Sequence, residues 1–390
     1  MFVLRRIGSI CSLCLLFLII LFLCKKSPKA RIQKLKSDFC YKPDIIKSKL
    51  SEEEDEERVT LVLHSTFDRI GKQLIPQVNN WEGPISLAVV FPEKFDDKAT
   101  ETHVICTFQR LRKLSANYPN VTRRLSVHFV IPKSKEICNF KHNKIPEIAE
   151  DCPLPSRQLS ESKAIESLVS YPINVARNMA RKMVNTKYML IADLDHLFSA
   201  NFETKMIKMA KENLELNPKL ALVYRIFEVT NNVRKLPETK IDLKELFDSK
   251  RAFVFHHGWR GHHIRNVDEW FEAEEIGSEE TPSIQFIHTY NMTDWEPQFV
   301  SLTAIPEHDE GFFYPAADNT VLRWEMCRAG YEFAVVNDVF MFHRGMKSKK
   351  EQILIDNARF RVKEETKNAK NTFRKRMTEQ YPETSGKCGF

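Results

Sequence analysis

The alternation of apolar and polar positions divides the chain into three unequal stretches. Ile7 to Cys24 is an 18-residue run without a charge, with Arg5 and Arg6 before it and Lys25 and Lys26 after it. A helix of that length reaches roughly 27 Å, close to the ~30 Å hydrocarbon core of a bilayer. This predicts a single transmembrane span over 7–24, behind a cytoplasmic tail over 1–6. A cleaved signal peptide is the competing reading, but the run is long for one and "CKKSPKA" is a poor cleavage site. From 25 to 58 the apolar beat fades into a basic part followed by "SEEEDEER", which predicts a stem holding a domain away from a membrane.

Past residue 58 the pattern changes again. "RVTLVLHST", "GPISLAVVFP" and "RRLSVHFVIP" read as strands, while "HVICTFQRLRKLSANYP" carries apolar residues at helical spacing. A Pro-rich loop around "DCPLPS", a helix from about Ile173 and a strand at Tyr188–Ile191 follow. Strand and helix alternating in this way predict an α/β domain over 59–381, with a 382–390 tail. Its parallel strands are covered by helices, and ligands bind at the strands' carboxyl ends.

Composition changes this picture little. A 390-residue chain with 43% hydrophobic and 28% charged residues is an ordinary globular protein, and 11 glycines exclude collagen-like or Gly-rich architectures. The net charge of +7 is densest between Arg344 and Arg376, where basic residues alternate with Glu and no aromatic ladder accompanies them. That favours a solvated helix face over a nucleic-acid partner. Outside the membrane run six cysteines remain (40, 106, 138, 152, 327 and 388), an even number that suits an oxidising lumen. The sequons at Asn120 and Asn291 suit the same compartment.

The chemistry gathers around "KYMLIADLDHLF". Asp193 and Asp195 fall just past a buried-looking strand, and on a continuing strand both carboxylates point to one side with Leu194 opposite. A turn uses Asp freely. A cation, alternatively, relieves the repulsion of two close carboxylates. In the preceding "YPINVARNMARKM", Asn174, Arg177, Asn178 and Arg181 lie at i, i+3, i+4 and i+7 on one face, with Pro172 at the helix start. That face is either the wet side of an amphipathic helix or a nucleotide-binding surface. In the second case Arg177 meets a phosphate and Asn174 and Asn178 the nucleotide-sugar, beside a hard cation. "FHHGWRGHHIRNVDEW" holds four histidines, but their spacing matches no common closed zinc site.

Taken in order, "TLVLHSTFDRI", "WEGPISLAVV", "YPINVARNMA", "YMLIADLDHLF", "HHGWRGHH", "WEPQFVS", "PEHDEGF" and "AGYEFAVVNDVFMFHRG" resemble the motifs of glycosyltransferase family 49. That family contains the second catalytic domain of LARGE-type enzymes and a β-1,4-glucuronyltransferase formerly described as an i-type β-1,3-N-acetylglucosaminyltransferase. The resemblance covers about Val59 to Tyr381. It implies a GT-A fold in a type II, single-pass protein of the Golgi apparatus membrane, with the catalytic domain in the lumen. It further implies inverting transfer of a sugar, glucuronic acid or N-acetylglucosamine, from a UDP-sugar to a glycan or glycoprotein acceptor. A divalent metal, usually Mn2+, assists, and a partner glycosyltransferase is a further expected contact.

Carried over residue by residue, Asp193 and Asp195 are the D-x-D of the metal and nucleotide-sugar site and His343 is the late metal-ligand histidine. Two carboxylates and an imidazole suit manganese better than magnesium. Asp309 is the base candidate and Glu310 the second, in a loop that keeps Pro306 and Phe312 but has His308 for a Tyr and lacks two glycines. Those changes make a catalytically impaired glycan- or partner-binding protein the alternative function. His257 and His262, with Trp295 and Glu296 of "WEPQFV", fall on the acceptor side, Trp295 as a stacking ring or a core residue. Arg225, Arg260 and Arg265 are available to a glucuronate carboxylate.

Overall fold

All the strands expected at the start of the domain form, and they lie side by side in the computed structural model. The structure describes residues 38–50, 56–91, 97–133, 152, 159–256, 258 and 260–389. The expected tail and span over 1–24 lie outside these residues, as do much of the stem and His257. Among the described residues no helix is long and apolar enough to cross a membrane.

In chain order the strands are β1 (Phe39–Ile46), β2 (Val59–Thr66), β3 (Ile85–Val90), β4 (Leu125–Pro132), β5 (Tyr188–Ile191), β6 (His196–Phe198), β7 (Leu220–Val229), β8 (Ala252–Val254), β9 (Ile284–His288), β10 (Gln298–Leu302) and β11 (Glu332–Arg344). The helices are α1 (Leu74–Asn80), α2 (Asp97–Asn117), α3 (Pro119–Arg124), α4 (Glu161–Val169), α5 (Ile173–Lys182), α6 (Phe202–Leu214), α7 (Lys240–Asp248), α8 (Val267–Glu272), α9 (Thr320–Arg328), α10 (Lys349–Arg361) and α11 (Lys363–Gln380).

The main path of the sheet runs β1-β4-β3-β2-β5-β10-β7-β11-β6. β4, β3, β2 and β5 are parallel, as the alternation predicts, whereas β10 runs antiparallel between β5 and β7. β2 and β3 read as continuous apolar runs because helices cover both of their faces. One core cluster packs beneath the sheet around Leu63, Leu87, Phe129 and Leu190. A second packs α5 and α9 over the other face through Met179, Trp295, Trp324 and Phe333.

Both ends of the domain differ from the sequence expectation. β1 lies inside the expected stem and adds an antiparallel edge strand to β4, with Phe39 opposite Pro132 and Tyr41 opposite Val130. Its alternation is short and broken by Pro43, which an edge strand tolerates because one side of its ladder is unpaired. At the other end, Cys388 is buried and bonded to Cys327 of α9, so the expected tail is stapled to the domain. A second disulfide joins Cys106 to Cys152, and Cys40 is also disulfide-bonded.

Candidate active site

Strand register assembles the site. β2 and β5 run parallel with Val62 beside Ile191, so two residues further on His64 comes beside Asp193. Its Nε2 lies 3.3 Å from Asp193 Oδ1, while its Nδ1 meets the Tyr171 hydroxyl at 2.8 Å. β6 and β11 run antiparallel with His196 opposite His343, which sets His343 Nε2 3.6 Å from Asp195 Oδ2.

The aspartates sit in a turn rather than on a continuing strand, because the His196 amide donates back to the Asp193 carbonyl at 3.2 Å. Leu194 is buried in the core and both carboxylates are about half exposed, yet they face different partners. Asp193 turns to His64 and His196, and Asp195 to His343. Burial opposes ionisation of Asp193, but the His64 hydrogen bond and the nearby His196, His64 and Arg177 outweigh it and hold the carboxyl well below the usual range. At Asp195 burial is likewise outweighed by His343 and His196.

His343 is oriented for a ligand on its outer nitrogen. Its Nδ1 lies 2.9 Å from the Gly345 carbonyl, which can only accept, so Nδ1 carries a proton; Nε2 faces Asp195, whose carboxylate raises the imidazole's pKa against burial, and a cation bound there would take the place of the Nε2 proton. Gly345 makes this return possible with φ of 106°, where a Cβ would also come within 3.1 Å of Asn231 Oδ1. Two ligands about 2.1 Å from one ion stand roughly 3 to 3.5 Å apart, so Asp195 and His343 fit a shared cation. Among the described residues no three such side chains converge into a closed cage. Such a two-ligand corner suits a cation whose remaining positions go to substrate phosphates and water.

The polar face of α5 has a different occupation from the nucleotide contact expected of it. The Asn178 side chain pairs with both backbone groups of His308, at 2.9 and 3.0 Å, and donates to Glu310 Oε1. Asn174 donates to the Asp309 carbonyl, Arg181 to the carbonyls of Ile305 and Pro306, and Arg177 to Asp318 at 2.9 Å. All four side chains are buried, and together they clamp the 305–318 loop.

Asp309 is itself a brace: Oδ1 accepts the Gly311 amide at 2.8 Å and Oδ2 pairs with Arg376 of α11 at 2.9 Å. Arg376 also binds Glu325, which ties α11 to α9. Glu310 lies on the side of Tyr41, whose hydroxyl it helps push up behind the larger effect of burial.

Glu296 shares a charged neighbour with the aspartate turn: Arg177 acts on both its carboxyl and that of Asp193. Burial first, and then Asp318, push its carboxyl up to about 7 against the opposing charges of Arg323, Arg177 and Arg359. His262 donates from Nδ1 to the Glu296 carbonyl at 3.2 Å and turns Nε2 to the carboxyl at 3.6 Å, with burial keeping the imidazole neutral. Trp295, the stacking candidate, is a core residue: it is fully buried, with His288 stacked on it at 4.2 Å and Phe333 at 5.5 Å, so no ring face reaches a sugar. Arg225 is no free carboxylate partner either, since it donates to the carbonyls of Ile264, Arg265 and Asn266 and to Gln285. Asn291 is exposed, and Asn120 is partly exposed with its amide on Asn79.

His64, His196, Tyr171, Asp318 and the exposed Arg69, which sits electrostatically beside Tyr171 and Tyr314, were not singled out from sequence. His196 alone carried a local signal, directly following the two aspartates; the others arrive by register and loop packing.

An acidic turn at the end of β5, faced by His64, His196 and His343, sits where the α/β class binds its ligands. Sequence comparison gives the particular family: the profile described as glycosyl-transferase for dystroglycan matches residues 58–382, and the chain belongs to that family of glycosyltransferases. It is 26% identical to beta-1,4-glucuronyltransferase 1 of Danio rerio over 348 residues, covering 85% of this chain and 75% of the relative. To the Homo sapiens protein of that name it is 25% identical, covering 86% and 78%. Mouse xylosyl- and glucuronyltransferase LARGE1 is 24% identical over 74% of this chain and 31% of its own. Among solved structures, GalNAc-T7 with UDP, GalNAc and Mn2+ superposes with a TM-score of 0.38 at 9% identity, over 85% of this chain and 58% of that one.

Proposed function

We propose that this glycosyltransferase is an inverting, metal-dependent enzyme of GT-A type. In this reading it moves glucuronic acid, or failing that N-acetylglucosamine, from a UDP donor to a glycan hydroxyl in the Golgi lumen. The relatives named as glucuronyltransferases support the donor preference. The observation that carries the reading is the corner formed by Asp195 and His343, with Asp193 beside it and the partly buried Glu296 sharing Arg177 with it. When bound there, a divalent cation such as Mn2+ would neutralise charge on the departing diphosphate.

The chain's own residues supply the rest. His64 and His196 hold Asp193 ionised and aimed, and the α5 clamp fixes the loop that carries Asp318. Glu296 takes the acceptor hydroxyl's proton as that oxygen attacks C1 opposite the UDP. A carboxyl poised near 7 is a far stronger base than an ordinary glutamate and is still half ionised at neutral pH. Asp309, the base expected from the motif, acts in this reading as the strut that holds the loop to α11.

The lumenal part, assayed with Mn2+ against a panel of UDP-sugars, is expected to transfer or hydrolyse UDP-glucuronate best. Silence with every donor overturns the enzyme reading and favours a glycan- or partner-binding protein. Protease protection of intact vesicles tests the topology, with residues after Lys25 expected to be shielded.

A further inference from the structure

The side chain behind the proposed base is arranged for a task of its own. His262 closes the short turn Arg260–His262, and the backbone ties that turn to Glu296, whose amide donates to the Gly261 carbonyl at 2.7 Å. The imidazole adds a second tie, with Nδ1 3.2 Å from the Glu296 carbonyl, and then reaches the carboxyl of the same residue, with Nε2 3.6 Å from Oε2. One ring meets both ends of one glutamate.

The first contact decides what the second can be. A carbonyl only accepts, so Nδ1 carries the ring's proton. The His262 side chain is 3% exposed, and burial, followed by the charge of His256, keeps the imidazole from taking a second proton. Nε2 therefore presents a lone pair to Oε2. Against an ionised carboxylate that lone pair has no hydrogen to share, and the 3.6 Å gap is longer than a hydrogen bond. Against a protonated carboxyl the same pair becomes an O–H···N hydrogen bond, so the neutral ring favours the protonated state of Glu296.

Other contacts hold the two groups in this arrangement. Phe255, which follows β8, and His256 pack edge-on to the His262 ring at 4.9 and 5.3 Å. Arg323 of α9 donates to the Pro297 carbonyl at 3.0 Å and to Gln298 Oε1 at 3.2 Å, which fixes the chain just past Glu296. The Glu296 side chain keeps 18% of its surface, which leaves a hydroxyl access to the carboxyl. The charges facing that carboxyl are Asp318, Arg323, Arg177 and Arg359, and those facing the imidazole are His256, His196 and Arg323. The three arginines favour the ionised glutamate; of the side chains named, Asp318 and His262 oppose them.

We propose that His262 is the positioning residue of the base: its Nε2 accepts a hydrogen bond from the Glu296 carboxyl once that carboxyl has taken the acceptor hydroxyl's proton. The acceptor O–H bond breaks as its oxygen bonds to C1, the bond from C1 to UDP breaks with its electron pair leaving on the diphosphate, and the proton goes to Glu296. Rotation of the carboxyl about its Cγ–Cδ bond brings the new O–H to Nε2, until solvent removes the proton. The assignment rests on the reading of Glu296 as the base.

Two substitutions separate this role from a structural one. His262→Asn keeps a donor near the Nδ1 position for the Glu296 carbonyl and removes the acceptor, whereas His262→Gln places an acceptor oxygen near the Nε2 position. The readout is an infrared pH titration of the full chain, following the C=O stretch of the protonated Glu296 carboxyl, identified as the band absent from Glu296→Gln. His262→Asn is expected to move that titration about 1 pH unit lower, the size of one hydrogen bond to the protonated form, and to move the rise of kcat/KM with it. His262→Gln recovers most of the shift, and both variants keep Mn2+-dependent UDP binding. An unmoved titration in His262→Asn, or an equal shift in His262→Asn and His262→Gln, overturns the proposal. The titration needs no turnover, so the two claims fail separately. If it moves but Glu296→Gln transfers at the native rate, the base reading falls and the hydrogen-bonded pair stands. If Glu296→Gln loses transfer and the titration does not move, the base stands and the role of His262 falls.

Discussion

Two acidic pairs stand out in this chain, and their surroundings give them different work. Asp193 and Asp195 are about half exposed in a turn, each aimed at histidines that favour its ionised form. Asp309 and Glu310 are equally suggestive in sequence, but one is locked by Arg376 and Gly311 and the other accepts from Asn178. A carboxylate whose oxygens are taken up by an arginine and a backbone amide braces a loop. One that faces imidazoles across an open corner can still meet a cation and a phosphate. Residue type and motif order do not distinguish these cases; the partners do.

The largest expected effect separates Glu296 from Asp309. Glu296→Gln should lower transfer by ~10² to 10⁴ and remove the rise of kcat/KM with pH through about 7, while Asp309→Asn keeps that rise. If Asp309→Asn removes the rise and Glu296→Gln keeps it, the roles are reversed.

Glu296 also makes a stability prediction. Below about pH 4.5 its carboxyl is protonated in the folded and unfolded chains alike and costs nothing. Between about 4.5 and 7 the unfolded chain gives up this proton while the partly buried folded carboxyl keeps it, so stability falls across that window and the loss is complete above about 7. The gap between 4.5 and about 7 corresponds to about 3 kcal/mol, so Glu296→Gln should stabilise the protein by as much as that at pH 8 and leave it unchanged at pH 4. Thermal unfolding at the two pH values checks it.

A somewhat larger stability effect is expected of the staple beside the Asp309 brace. Cys327 and Cys388 are 61 residues apart, and opening a loop of that length by a Cys327→Ser/Cys388→Ser change should cost about 4 kcal/mol in a denaturant titration. The smallest effect is Asp309→Asn itself. Loss of its partly exposed pair with Arg376 should cost about 1 kcal/mol, lowering Tm by about 2 °C.

Much of this was legible in the sequence, and the rest was hidden for identifiable reasons. The apolar runs of β2 to β5 and the amphipathic face of α5 followed from periodicity, because a covered parallel sheet needs them. β1 was missed because an edge strand broken by Pro43 has too short a pattern. At the expected site the structure brings Asp195 and His343 together as the motifs anticipate, but His64 reaches Asp193 only through the β2–β5 register. The face of α5 was correctly located, yet sequence could not say that the 305–318 loop would cover it. The bracing of Asp309 was hidden because its partner Arg376 lies 67 residues away.

The account rests on the aspartate turn, and titration of UDP into the full chain, with and without Mn2+, tests it most directly. UDP should bind the native protein and Asp309→Asn alike when Mn2+ is present. Asp193→Ala and Asp195→Ala should each weaken that binding by ~10² or more. Undiminished Mn2+-dependent binding in Asp195→Ala, or its loss in Asp309→Asn, would contradict the account.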